Sequence, residues 1–265
     1  MRILVTGDWH LDHWLQAGRD PLATLPPGFW ASLEALIIAG DLAEKPKTRW
    51  PRMLARLGQH IDPARIHVLP GNHDYWQHRI DGDDRLTALC HAAGAQFAQQ
   101  AEITLGDTRF LCCTLWTDLA LHGDPAGAAR ILAREMNDYR HIRHAGAGYR
   151  RLRPEDTARI HAGHRAWLAD RLAAPFPGRS IVITHHCPHP GLIGTAPAPT
   201  DPAYGSDLRA LIAEGQPDVW FFGHTHHPAE AVLGRTRLRN VSLGYPDQVP
   251  PGTEAARLLR GLIEI

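Results

Sequence analysis

The sequence predicts an α/β fold, on two observations. Apolar, β-branched runs of four to six residues recur along the chain and stop at glycine, and helically spaced apolar residues fill the stretches between them. Strands that alternate with helices in this way build a largely parallel sheet.

Arg2 to Thr6 reads as a buried strand ending at Gly7. Ala35 to Ala39 reads as a second, ending at Gly40, and Arg65 to Leu69 as a third, closed by Pro70-Gly71. Between the last two, Trp50 to Gln59 carries Met53, Leu54 and Leu57 on one helical face. Arg109 to Trp116 is a further strand. Ala126 to Ile142 reads as helix, with Ile131, Leu132 and Met136 in helical spacing, and Ala145 to Gly148 as a break. Pro154 suits a first helical turn, so a helix is expected over Pro154 to Leu172, stopped by Pro175 and Pro177. Ser180 to Thr184 is a strand. Pro188 to Pro202 is a long loop, rich in proline and glycine, on the substrate side. Asp207 to Ala213 is a short helix with Ser206 as its N-cap. Val219 to Phe222 is a strand, and Ala229 to Leu233, Arg237 to Ser242 and Leu258 to Glu264 are closing strands.

The 265 residues fit one domain, 1–265, with 117–150 as a cap-like insertion, and suffice for a sizeable core without disulfides. Lys plus Arg and Asp plus Glu are both 28, so the formal charge is zero. A polynucleotide backbone is normally met by a basic excess, and none is present. The four cysteines, Cys90, Cys112, Cys113 and Cys187, have no Cys-x-x-Cys spacing and read as reduced thiols. A motif residue already stands at position 8, which leaves no room for a cleavable leader, and no apolar run is long enough to span a bilayer. A cytoplasmic location and no membrane partner are the expectation.

Of the 18 histidines, the informative ones stand beside Asp, Asn or Gly just after predicted strands. The motifs are Gly7-Asp8-Trp9-His10, Gly40-Asp41, Gly71-Asn72-His73-Asp74, Thr184-His185-His186 and Gly223-His224-Thr225-His226. Each alone could be a turn. Together they supply a carboxylate able to bridge, several imidazoles and an amide oxygen. Hydrolysis of a phosphate ester by two divalent ions about 3.5–4 Å apart needs that mixture. Without a thiolate, the donor set suits Mn, Fe or Zn in a catalytic rather than a structural site.

These five blocks, in this order over about five-sixths of the chain, resemble the calcineurin-like metallophosphoesterases, on the side of the bacterial phosphodiesterase-like branch. The resemblance implies a four-layer α/β/β/α sandwich of two mixed sheets flanked by helices. It implies that Asp8, His10 and His226 hold one metal, that Asn72, His185 and His224 hold a second, and that Asp41 bridges them. His73 would protonate the leaving group, with Asp74 orienting its imidazole. Gly40-Asp41-Leu42-Ala43-Glu44 departs from the Gly-Asp-x-Val-Asp-Arg-Gly of the serine/threonine phosphatases, which disfavours that activity. The expectation is a dinuclear metallohydrolase, a phosphodiesterase for a small phosphorylated or nucleotide substrate. A phosphomonoesterase, a nuclease and a non-catalytic metal scaffold stand as alternatives. Asp12 and His13, His186 and His189, and Arg140 and Arg143 (the last two for a distal phosphate) are further candidates around the site.

Overall fold

In the computed structural model, which describes residues 1–265, thirteen strands and nine α-helices alternate along the chain. The strands are β1 (Arg2–Thr6), β2 (Leu33–Ala39), β3 (Ile66–Leu69), β4 (Gln96–Phe97), β5 (Ala101–Leu105), β6 (Thr108–Cys113), β7 (Arg143–His144), β8 (Arg150–Arg151), β9 (Arg179–Thr184), β10 (Val219–Phe222), β11 (Glu230–Leu233), β12 (Thr236–Asn240) and β13 (Leu262–Glu264). The helices are α1 (Leu11–Gln16), α2 (Pro27–Ala31), α3 (Pro46–Leu57), α4 (Asp83–Ala92), α5 (Pro125–Glu135), α6 (Asp138–His141), α7 (Pro154–Ala173), α8 (Arg209–Gly215) and α9 (Glu254–Leu258).

Two mixed sheets result, one ordered β13-β1-β2-β3-β4 and the other β11-β12-β10-β9-β6-β5. Alternation of side chains along each strand sorts the core into three apolar layers. Ile3, Val5, Ala35, Ile37, Phe110, Cys112, Ile181, Ile183 and Phe221 meet between the sheets. The intervening residues Leu4, Leu36, Ile38 and Val68 face the other way, onto Trp14, Trp50, Leu54, Leu57 and Leu86 of the helices. On the second sheet, Leu111, Val182, Trp220 and Phe222 pack outward against Leu168 of α7 and Leu211 and Ile212 of α8. Helix, sheet, sheet, helix is therefore the order of the layers, as the resemblance implies.

Register brings the site together. Thr184 pairs with Phe222 and with Cys113, and Phe222 with Asn240, so these parallel strands end level. In the first sheet Thr6 pairs with Ile38 and Ala39 with Leu69. The two edges are stitched where Gly7 N–H donates to Val241 O (3.0 Å) and Leu243 N–H to Gly7 O (2.9 Å). The chain segments that leave β1, β2, β3, β9 and β10 thus emerge into one crevice.

Several expected boundaries move, each for a local reason. The helix expected to run on to Ile142 stops at Glu135, because Met136 turns extended (ψ 131°) and Asn137 starts the separate turn α6. Ser206 does not cap a helix at 207; its hydroxyl donates to Asp118 Oδ1 (2.8 Å), and α8 starts at Arg209. The strand expected to reach Trp116 ends at Cys113, since Leu115 and Trp116 both have positive φ. Leu258 lies in a helix, and only Leu262–Glu264 pairs with β1. Helices α1, α2, α4 and α9 and the strands β4, β5, β7 and β8 are additions that the sequence pattern does not announce. The proline-rich segment 188–202 forms only single 3-10 turns. All four cysteines are buried and unpaired. No helix is long and apolar enough to cross a membrane.

Candidate metal centre

The site is built from backbone that leaves its strands in a left-handed conformation. Asp8, His10, Asp41, His224 and His226 all have φ between 39° and 67°. Such a conformation costs a side-chain-bearing residue roughly 1–3 kcal/mol, and it persists where surrounding contacts over-determine it. Here it swings five polar side chains off the strand axes into the crevice. Close approach also matters: a Cβ on Gly71 would collide with the Asp41 carboxylate and the His185 ring.

Asp8 is fully buried and held from several sides. His224 N–H reaches both its oxygens (3.0 and 2.9 Å), the Ser242 hydroxyl donates to Oδ2 (2.6 Å), and His226 Nε2 lies 3.1 Å from Oδ1. Burial pushes the Asp8 carboxyl up, but the His226 imidazole and these hydrogen bonds outweigh it and bring it down to about 2. It is a carboxylate throughout the physiological range.

Asp41 occupies the centre. Its Oδ1 accepts from His73 N–H (2.9 Å). Its Oδ2 is buried with no hydrogen-bond partner and stands 3.6 Å from Nε2 of His10 on one side and 3.6 Å from Nε2 of His185 on the other. Burial, then the charges of Asp74 and Asp8, raise its carboxyl well above the usual range. An anion so placed calls for a positive charge, and two neutral imidazoles do not supply it.

The imidazoles are arranged as ligands. His185 Nδ1 lies 3.0 Å from Ala39 O, and His226 Nδ1 lies 2.9 Å from Gln248 Oε1. With those nitrogens donating, both Nε2 lone pairs face inward. Burial lowers His10, His185 and His224 below the usual imidazole range, so they are neutral, while the Asp8 charge raises His226 despite its burial. His10 Nδ1 and His224 Nε2 are buried without partners. One ligand atom each from Asp8, His10, Asp41 and His226 lies within 4.8 Å of the others, and the same holds for Asp8, Asp41, His185 and His224. Asn72 Oδ1 adds an oxygen 3.0 Å from His185 Nε2. The orphaned buried donors and acceptors and the mixture of carboxylate, amide and imidazole fit divalent cations.

His73 stands at the edge of this cluster. Its ring stacks on Trp76, with centroids 3.7 Å apart and planes at 25°. Asp74, expected to orient it, is engaged elsewhere. The Asp74 carboxylate accepts from the backbone N–H of Asp41 (2.7 Å), Gly71 (2.8 Å) and Ala43 (3.3 Å) and from Trp50 Nε1 (3.0 Å), and so staples the turns after β2 and β3. Burial raises its carboxyl to about 6 against those bonds. The carboxylate that faces His73 is Glu44, whose Oε1 lies 3.5 Å from His73 Nδ1 and 3.3 Å from His13 Nε2. Those two histidines, His13 foremost, hold the Glu44 carboxyl far below its usual value.

A cavity of about 380 Å³ opens over the cluster, walled by Trp76, Asn137, Asp138, Tyr204, Tyr245 and Gln248. No lysine or arginine lines it. Arg140 instead donates to Asn137 and to the Arg134 carbonyl, and neither it nor Arg143 reaches the cavity. His186 is buried against Thr114 O (3.1 Å) with its ring 4.4 Å from that of His224, and His189 accepts from Gly191 N–H. Asp12 binds Arg49. A second hollow of about 460 Å³, between Tyr75, Trp116, Asp156 and His164, holds none of the converging ligands. Sequence reasoning misses Glu44, Tyr204, Tyr245, Gln248 and Ser242. Only Glu44 carries a signal, its place three residues after Asp41 in a motif already singled out.

Two mixed sheets gather carboxylates and imidazoles that could hold metal ions at their shared carboxyl edge, a setting suited to a metallohydrolase. Comparison with known proteins agrees. The family model for calcineurin-like phosphoesterases matches residues 1–228, and the chain belongs to that family. It is accordingly a metal-dependent hydrolase of phosphoric esters. No curated protein matches the sequence. Among solved structures, the fold is similar to that of phosphopantetheinyl hydrolase from Mycobacterium tuberculosis, with a TM-score of 0.70 at 19% identity over 99% of this chain and 95% of that one. It is also similar to the protein TT1561 of Thermus thermophilus, with a TM-score of 0.51 at 13% identity over 91% and 88% of the two chains.

Proposed function

We propose that the protein is a phosphodiesterase for a small phosphorylated or nucleotide substrate, working through a dinuclear divalent-metal centre, with Mn²⁺ the first candidate. Asp8, His10 and His226 would hold one ion, Asn72, His185 and His224 the other, and Asp41 would bridge. The observation that carries this reading is the unpartnered Asp41 Oδ2, equidistant from His10 and His185. Bound there, the two ions supply positive charge for the phosphoryl oxygens and an acidified water.

The chain's own residues do the rest. His73 donates its proton from Nε2 to the leaving-group oxygen as the P–O bond breaks, while Glu44 faces Nδ1 and stabilises the cationic ring. The Trp76 face fixes the plane of that ring. The preference for a diester rests on charge. A monoester or polyphosphate carries further negative charge, and the mouth offers it no cation but rather Glu135 and Asp138. A monoanionic diester with a flat apolar arm suits the aromatic walls better. Residues 1–265 form one domain in this reading, and the segment 117–150 is the cap, which contributes Glu135 to Asp138 to the cavity.

Hydrolysis of bis-p-nitrophenyl phosphate and of p-nitrophenyl phosphate by metal-stripped protein, with and without Mn²⁺, tests the reading. Manganese-dependent turnover of the diester, lost in His73→Asn, is expected. Turnover of the monoester alone would make the protein a phosphomonoesterase.

A further inference from the structure

The segment Met136-Asn137-Asp138-Tyr139-Arg140 stands outside the five motifs, yet it touches them at one atom. Asp138 lies at the start of α6, where the break after α5 turns the chain toward the crevice, and its side chain is buried. Its Oδ1 accepts two hydrogen bonds at once, from Asn72 Nδ2 (2.8 Å) and from Trp76 Nε1 (2.7 Å). Both are short and charge-assisted, roughly twice as strong as neutral ones.

An amide side chain is nearly symmetric in shape but not in chemistry, because one end donates and the other accepts. With Nδ2 committed to the carboxylate, Asn72 Oδ1 must point the opposite way, where it lies 3.0 Å from His185 Nε2 inside the ligand cluster. The flipped amide would set its oxygen against the Asp138 carboxylate and turn an NH₂ toward the cations. The same Asp138 oxygen pins the indole on which His73 stacks. We infer that Asp138 is a positioning residue that orients a metal-facing amide and the platform of the proton donor together. The role rests on the assignment of Asn72 to the metal centre made above. Backbone bonds between the two segments, Gln77 N–H to His141 O (3.0 Å) and Arg143 N–H to His78 O (3.1 Å), keep them in register.

A carboxylate near cations could also act by charge alone, and the two roles part on substitution. Asp138→Asn keeps an acceptor and removes the charge; Asp138→Ala removes both. Metal-stripped wild type and variants are titrated with Mn²⁺ at equilibrium, with folding followed by circular dichroism. Wild type is expected to bind two equivalents. Asp138→Ala should weaken one of the two by about 10- to 100-fold and leave the other unchanged, and Asp138→Asn should recover most of that loss. Unaltered binding of both ions by folded Asp138→Ala would overturn the role. So would a loss in Asp138→Asn equal to that in Asp138→Ala, which would assign the effect to charge. If Asp138→Ala does not fold, Asp138→Ser takes its place with the same two outcomes. Fewer than two equivalents in wild type would remove the metal assignment of Asn72 itself, and this role with it.

Discussion

Histidine is used in opposite ways in two regions of this molecule. In the crevice, His10 and His224 each keep a buried ring nitrogen with no partner, and His185 and His226 are turned so that Nε2 faces their neighbours. On α7, below the excursion between β6 and β9, His164 is just as buried, but its Nδ1 accepts from Leu115 N–H (3.1 Å). There the imidazole closes a backbone hydrogen bond where the chain leaves β6. Burial lowers the basicity of His10, His185, His224 and His164 alike, while the Asp8 charge holds His226 above the usual range. Burial alone therefore does not set the crevice histidines apart: the His164 lone pair already has a backbone donor, whereas the crevice rings gather around the buried carboxylates of Asp8 and Asp41.

Asp41 stands between the Nε2 atoms of His10 and His185, so its substitution should have the largest effect on the crevice. Asp41→Asn replaces one oxygen with an NH₂ and cannot bridge two cations. Turnover should fall by at least about 10³-fold, and Mn²⁺ stoichiometry should drop below that of wild type in equilibrium dialysis. The same substitution should leave the fold intact, because the uncompensated Asp41 carboxyl is a burden on the metal-free protein.

The α7 region should answer to pH instead. Burial depresses His164 to about 4 in the folded protein, against an ordinary value of about 6.5 unfolded. The unfolded chain therefore takes up the proton first. The stability contributed by neutral His164 is complete above about pH 6.5 and is lost as the pH falls toward 4, by roughly 3 kcal/mol in all. Denaturant melts of metal-free protein across that window should be flatter for His164→Gln, whose amide oxygen still accepts but does not titrate. An identical pH slope in both proteins would refute this account of His164.

Glu44→Gln is the smallest of the three. The amide still packs beside His73 but no longer stabilises the ring's positive charge. We expect kcat for the diester to fall about 10-fold with little change in KM. Asp74→Asn, in contrast, should act through stability, since Asp74 holds the turns after β2 and β3.

The ease with which each region can be read from sequence follows the same division. Asp8, Asp41, His185 and His224 come directly after a strand or one residue beyond it, so an apolar run followed by glycine, aspartate or histidine locates them. The layers are legible for a related reason: β1, β2, β9 and β10 carry unbroken apolar runs buried on both faces, and successive side chains of a strand join opposite layers. Glu44, Asp138, Tyr204 and Tyr245 are brought to the crevice by turns whose torsions no local pattern fixes. The split of α5 from α6 is a case in point: Ile131, Leu132 and Met136 satisfy helical spacing, yet the chain breaks after Glu135, and Asp138 beyond the break accepts hydrogen bonds from Asn72 and Trp76. Asp74 misleads for the opposite reason. Adjacency to His73 suggests a pair, while the 3-10 turn over His73–Tyr75 accompanies an Asp74 side chain directed to the backbone of the neighbouring loops.

If the unpartnered atoms around Asp41 form a two-metal site for phosphodiester hydrolysis, metal and activity must rise together. Metal-stripped protein is titrated with Mn²⁺ and bis-p-nitrophenyl phosphate turnover is read at every point. Two equivalents should bind, and turnover should rise only as the second is filled. Full turnover without divalent metal, or activity complete at one equivalent, would rule out the two-metal site.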